Sequence, residues 1–87
     1  MNDAERAALR DIRGYASANR IDYALHALQR MLQRNVRRVD VRQALATARA
    51  CVSQPNGRYK VTGPDLDGDD LDVVVVIEDG VLVVTLF

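Results

Sequence analysis

The stretch Leu71-Asp72-Val73-Val74-Val75-Val76-Ile77-Glu78-Asp79-Gly80-Val81-Leu82-Val83-Val84-Thr85-Leu86-Phe87 decides the fold. Two β-branched runs flank Asp79-Gly80, a pair favoured in tight hairpin turns because both residues tolerate positive φ. They predict antiparallel strands over about Leu71–Glu78 and Val81–Phe87. In the first, Leu71, Val73, Val75 and Ile77 point to one face, and Val74 and Val76 to the other. In the second, Leu82, Val84 and Leu86 stand opposite Val81, Val83 and Phe87. A sheet that is apolar on both faces must be covered on both. Helices supply one cover; the first helix or a second subunit must supply the other, and a dimer through the sheet face is the expectation.

Moving toward the N-terminus, Asp65-Leu66-Asp67-Gly68-Asp69-Asp70 reads as a solvated acidic loop. Before it, Arg58, Lys60 and Thr62 alternate with Tyr59 and Val61, a period of two that predicts a strand ended by Gly63-Pro64. Ser53-Gln54-Pro55-Asn56-Gly57 is a turn in which Pro55 bars any helix from continuing. Upstream the period lengthens to 3.6. Val41, Ala44, Leu45, Ala48, Cys51 and Val52 share one side of a helix over about Val39–Val52. Ala24, Leu25, Leu28, Met31 and Leu32 stripe another over about Asp22–Arg34, with Asp22 as candidate N-cap and Asn35 suited to the left-handed position that ends it. A weaker helix spans about Asp3–Ser17, with Ala8, Leu9, Ile12, Tyr15 and Ala16 inward and Asn19 as the break. The expected architecture is α+β: a two-helix hairpin plus an extra N-terminal helix packed on a three-stranded antiparallel sheet. One domain, 1–87, divides into a helical extension (1–20), the hairpin (21–52) and the sheet (57–87).

Eighty-seven residues allow one core, and a domain of that size buries only roughly 60–65% of its unfolded surface, which favours association. With 48% apolar and 28% charged residues the composition is that of a folded globule. No run reaches the roughly 18 uncharged apolar residues of a membrane helix. The first residues hold Asp3, Glu5, Arg6 and Arg10 where a signal peptide would hold apolar ones. The expected location is the cytoplasm. The single Cys51 has no internal disulfide partner and reads as a packed thiol. The net charge of zero conceals a division. Residues 1–60 hold all twelve basic side chains against five acidic ones, whereas residues 61–87 hold seven acidic and no basic ones. The halves either neutralise each other across the fold or leave a basic surface for phosphates.

His26 is the lone histidine, the side chain whose unshifted pKa suits proton transfer near neutrality. On a helical wheel it shares a polar stripe with Arg30, Gln33 and Arg34. A general acid or base beside guanidinium groups suits phosphodiester cleavage; the same stripe is also what any solvated helix face looks like. Arg58 and Lys60 point one way from their strand, either clamping phosphate or discouraging sheet-to-sheet aggregation. Arg34, Arg37 and Arg38, with Lys60, form a candidate nucleic-acid track. Tyr59 could stack on a base but alternates into the apolar set. The acidic loop lacks calcium-loop spacing, and one His with one Cys makes no zinc set, so no metal and no cofactor are expected.

Two segments, His26-Ala27-Leu28-Gln29-Arg30-Met31-Leu32-Gln33-Arg34-Asn35-Val36 with Asp40-Val41, and Gly57-Arg58-Tyr59-Lys60-Val61 through Gly63-Pro64-Asp65-Leu66-Asp67-Gly68 to Val83-Val84-Thr85-Leu86-Phe87, resemble the bacterial family called domain of unknown function 4258. The resemblance covers about residues 22–87. It departs at Asn35, where glycine is usual, and at Arg37, where a capping serine is common. It implies similarity to the fold of barnase, colicin ribonuclease domains and RelE-type toxins. By that resemblance the expected activity is metal-independent RNA cleavage or a degenerate relative of it. His26, Arg30, Arg58 and Thr85 would form the site with Lys60 in support, and RNA and a cognate antitoxin or other protein would be partners. A non-catalytic dimeric interaction module is the alternative, and a nucleic-acid-binding regulator is a third reading.

Overall fold

The computed structural model describes residues 1–87. Its elements run α1 (Asp3–Ser17), β1 (Ile21–Tyr23), α2 (Leu25–Arg34), α3 (Arg38–Ala46), β2 (Ala50–Gln54), a 3-10 turn (Pro55–Gly57), β3 (Arg58–Pro64), β4 (Asp70–Ile77) and β5 (Val81–Leu86). The five strands make one sheet in the order β1-β5-β4-β3-β2, with β1 parallel to β5 and the other pairs antiparallel. The α+β class stands, but the expected three-stranded antiparallel sheet is corrected to a five-stranded mixed one. No helix is long and apolar enough to cross a membrane.

The added strands come from residues assigned to the helical hairpin and, at Ser53 and Gln54, to the turn after it. Ile21-Asp22-Tyr23 is too short to display alternation, and it is a strand because its backbone pairs with Val81-Leu82-Val83. Asp22 is therefore paired with Leu82 rather than capping α2, whose N-cap is Ala24. At the other side α3 stops at Ala46, not Val52, and Thr47 folds its hydroxyl back onto the Gln43 carbonyl (2.7 Å). Cys51 and Val52 fit helical spacing and strand alternation equally well. Pairing with Val61 and Lys60 selects the strand, turning Cys51 inward and Val52 outward.

Turn chemistry follows the residues. Asn19, Asn35 and Asp79 take left-handed φ values of 59°, 54° and 48°, where a short polar side chain lowers the steric cost.

One face of the sheet carries the core, a single cluster that joins Leu9 and Ile12 of α1, Met31 of α2 and Leu45 of α3 to Val61, Val73, Val75 and Val83. Both α1 and α3 thus lie over the same face. Gly63 lets α3 settle onto β3, since a Cβ there would collide with the Ala44 carbonyl and lie 3.0 Å from Ala48 Cα. Buried Asp40 holds the helical layer to the acidic loop. Its Oδ2 accepts from Arg37 N (3.2 Å) and Arg37 Nε (3.1 Å), and its Oδ1 from Leu66 N (3.3 Å). At the β2 edge of the sheet, Glu5 of α1 accepts from Asn2 N with one oxygen (2.9 Å) and from Ser53 N with the other (2.7 Å).

Candidate functional site

The position of Thr85 depends on a break in β5. Val74 pairs with Thr85 but Val75 pairs with Val83, so Val84 is an extra residue without a partner, a β-bulge. Strict alternation groups Leu86 with Leu82 and Val84, and would send Thr85 inward with Val81 and Val83. The bulge reverses both: Leu86 is buried in the core with Val83, and Thr85 turns to the open face beside Val74. Val74 is itself buried yet lies outside the core cluster, which places it on that open face.

The row continues across the sheet. Val74 pairs with Lys60, and Lys60 with Val52, so Thr85, Val74, Lys60 and Val52 stand side by side. Two strand spacings separate Thr85 from Lys60, about 10 Å, within reach of a shared extended ligand. Arg58 faces the same way one pleat repeat, about 7 Å, further along β3. Tyr59 turns to the other side and packs against the core.

Helix α2 brings its polar stripe to the β5 edge. Strand β1 pairs with β5 only from Val81 to Val83. Next, Ala24 N donates to the Val83 carbonyl (2.9 Å), and Arg30 Nε donates to the Leu86 carbonyl (3.3 Å). These two bonds set α2 alongside Val83–Leu86. Arg30 is half-buried at the end of β5, bonded to the residue that follows Thr85, and His26 is exposed one helical turn earlier on the same stripe. The structure thus gathers Arg30 and Thr85, sets Lys60 in their row, and leaves Arg58 further off across the sheet.

The charge division is only partly neutralised within the fold. Arg20 pairs with Asp79 and Arg49 with Asp70 across the basic and acidic parts, while Arg6–Asp3 and Arg37–Asp40 are local. Arg13 and Arg42 donate to carbonyls of Ala48 and of Ala16 and Ser17, tying helices to their surroundings. Arg58 and Lys60 make no ion pair and stay available on the open face.

The expected basic track of Arg34, Arg37 and Arg38 is divided. Arg34 and Arg37 line a hollow of about 550 Å³ shared with Asp65, Asp67 and Asp69. The hydrogen bond from Arg37 is the main cause that holds the Asp40 carboxyl below its ordinary pKa. Arg38 instead stacks over Tyr23, its guanidinium carbon 4.7 Å from the ring centre. That contact had no signal in the sequence spacing, nor had the Arg30–Leu86 bond. None of the three surface hollows is lined by His26, Arg30, Arg58, Lys60 or Thr85, which lie on an open surface rather than in a cleft. Burial raises the pKa of the Cys51 thiol, which suits packing and not nucleophilic attack.

A family model described as Domain of unknown function (DUF4258) matches residues 23–87. No curated protein and no solved structure matches the chain.

Proposed function

The chain belongs to the DUF4258 family, a domain of unknown function, and on that premise we propose that it is an RNA-directed, metal-independent endoribonuclease of toxin-like type. Kinship with barnase, colicin ribonuclease domains and RelE-type toxins is part of the same proposal. The observation that supports it is the bulge at Val84, which turns Thr85 to the open face in one row with Lys60 and beside the Arg30 end of α2. Bulges are common beside active sites because they re-aim a side chain.

In this reading single-stranded RNA lies across the open face. His26 moves the proton of the attacking ribose hydroxyl or of the leaving oxygen. Arg30, fixed through Nε, turns its remaining N–H groups to the phosphate, where negative charge grows in the phosphorane-like transition state. Thr85 positions the phosphate, Lys60 neutralises it, and Arg58 holds a neighbouring nucleotide. The test is incubation of the purified protein with mixed RNA in chelator at several pH values, beside His26→Ala. Cleavage that falls by roughly 10²–10⁴-fold in the variant supports the proposal. Products indistinguishable from buffer for both proteins would end it.

A second reading is favoured by one observation: the open face carries Val52, 48% exposed on edge strand β2, and the partly buried Val76, Leu82 and Val84 on β4 and β5, and α1 covers none of them. That face would pair two copies. Light scattering over a concentration series distinguishes the readings, since a dimer would close the sheet to RNA and Val76→Lys should dissolve it.

A further inference from the structure

Away from the open sheet face, two hollows of about 400 and 300 Å³ adjoin on the outer side of α3 and share Val39 and Arg42 as lining. Their walls include two of the molecule's most exposed large apolar side chains, Val39 (52%) and Leu66 (53%). Ala46 adds to the first hollow, and Ile21 and Tyr23 to the second. No carboxylate lines either one.

The cations here are held in place. Arg42 donates Nε to the Ala16 carbonyl (3.0 Å) and Nη2 to the Ser17 carbonyl (2.9 Å), leaving Nη1 uncommitted. Arg38 lies over the Tyr23 ring and has no carboxylate partner. They are four residues apart on one helix and so face the same groove. Bound guanidinium groups lose less freedom when an anion arrives, because their geometry is already set.

We propose that this groove along α3 is a docking site for a short acidic–apolar peptide segment of a partner protein, with aliphatic side chains in the two hollows and a carboxylate on Arg38 and Arg42. Charge complementarity and the apolar walls select that occupant together. A nucleic-acid backbone would find two cations beside a loop that carries Asp65, Asp67 and Asp69, which repels a polyanion more than it repels one or two carboxylates. The proposal is independent of RNA cleavage, because the groove and the open sheet face are separate surfaces.

The probe is a fluorescein-labelled, end-capped short leucine–glutamate peptide that carries only one or two glutamates, with serine–glutamate and leucine–lysine peptides of the same length as controls. Anisotropy should show the leucine–glutamate peptide binding at least about tenfold more tightly than either control, and Arg38→Ala and Val39→Ser should each weaken it about tenfold. Arg10→Ala, on the far side of α1, should leave it unchanged. Amide shifts on titration should cluster at Ile21, Val39, Ala46 and Leu66, and circular dichroism confirms that each variant is folded. Equal binding of the serine–glutamate peptide, displacement by single-stranded RNA, shifts elsewhere, or no binding at all would each overturn the assignment.

Discussion

The two faces of the sheet are built from similar residues, yet one is roofed by α1 and α3 and the other lies open. Val73, Val75 and Val83 are sealed under helices, whereas Val52, Val76 and Leu82 meet solvent. Apolar alternation on both sides of a strand therefore signals that cover is wanted on both, and does not say which element supplies it. Here the first helix joined the roof already present, binding α3 and the β2 edge, so the second face kept its valines and its unpaired cations together.

Substitutions can break or sharpen that contrast. Leu45→Ala beneath the roof removes a fully buried side chain and should cost about 4 kcal/mol in urea unfolding. Gly63→Ala sets a methyl against the Ala44 backbone and should cost about 3 kcal/mol by the same measurement, because backbone gives way less readily than a side-chain tip. Asp40→Ala frees the acidic loop from the roof and should cost about 2 kcal/mol at neutral pH. Its pH dependence has a definite sign. Arg37 chiefly depresses the folded-state pKa of Asp40, so the unfolded chain takes up the proton first. The contribution is whole at neutral pH and disappears as pH falls through the depressed value, so urea midpoints of wild type and Asp40→Ala should converge in acid. Val76→Thr on the open face should cost less than about 0.5 kcal/mol in a monomer. A cost that climbs with protein concentration would instead mean that a second copy covers the face.

Much of the core was legible because it rests on local pattern. The inward side of α1 emerges as Ala8, Leu9, Ile12 and Ala16, and the Asp79-Gly80 turn joins β4 to β5. The missing strands were invisible for a physical reason. Ile21–Tyr23 owes its extended form to a partner far along the chain, and Cys51-Val52 satisfies two periods at once. The site was legible as chemistry but not as arrangement. His26 and Arg30 share a stripe by helical geometry alone, while the turn of Thr85 outward needs the bulge, and nothing in Val83-Val84-Thr85 marks which valine is extra.

The carboxylate of Glu5 bears on how this molecule behaves when crowded. Chains rich in valine zip into fibres by adding strands to a bare lateral rim. One rim here is only three residues long, and at the other an outward amide is already claimed by Glu5. Sideways growth is checked at both ends of the plate, so the rims of this valine-rich sheet offer little backbone for a further strand to join.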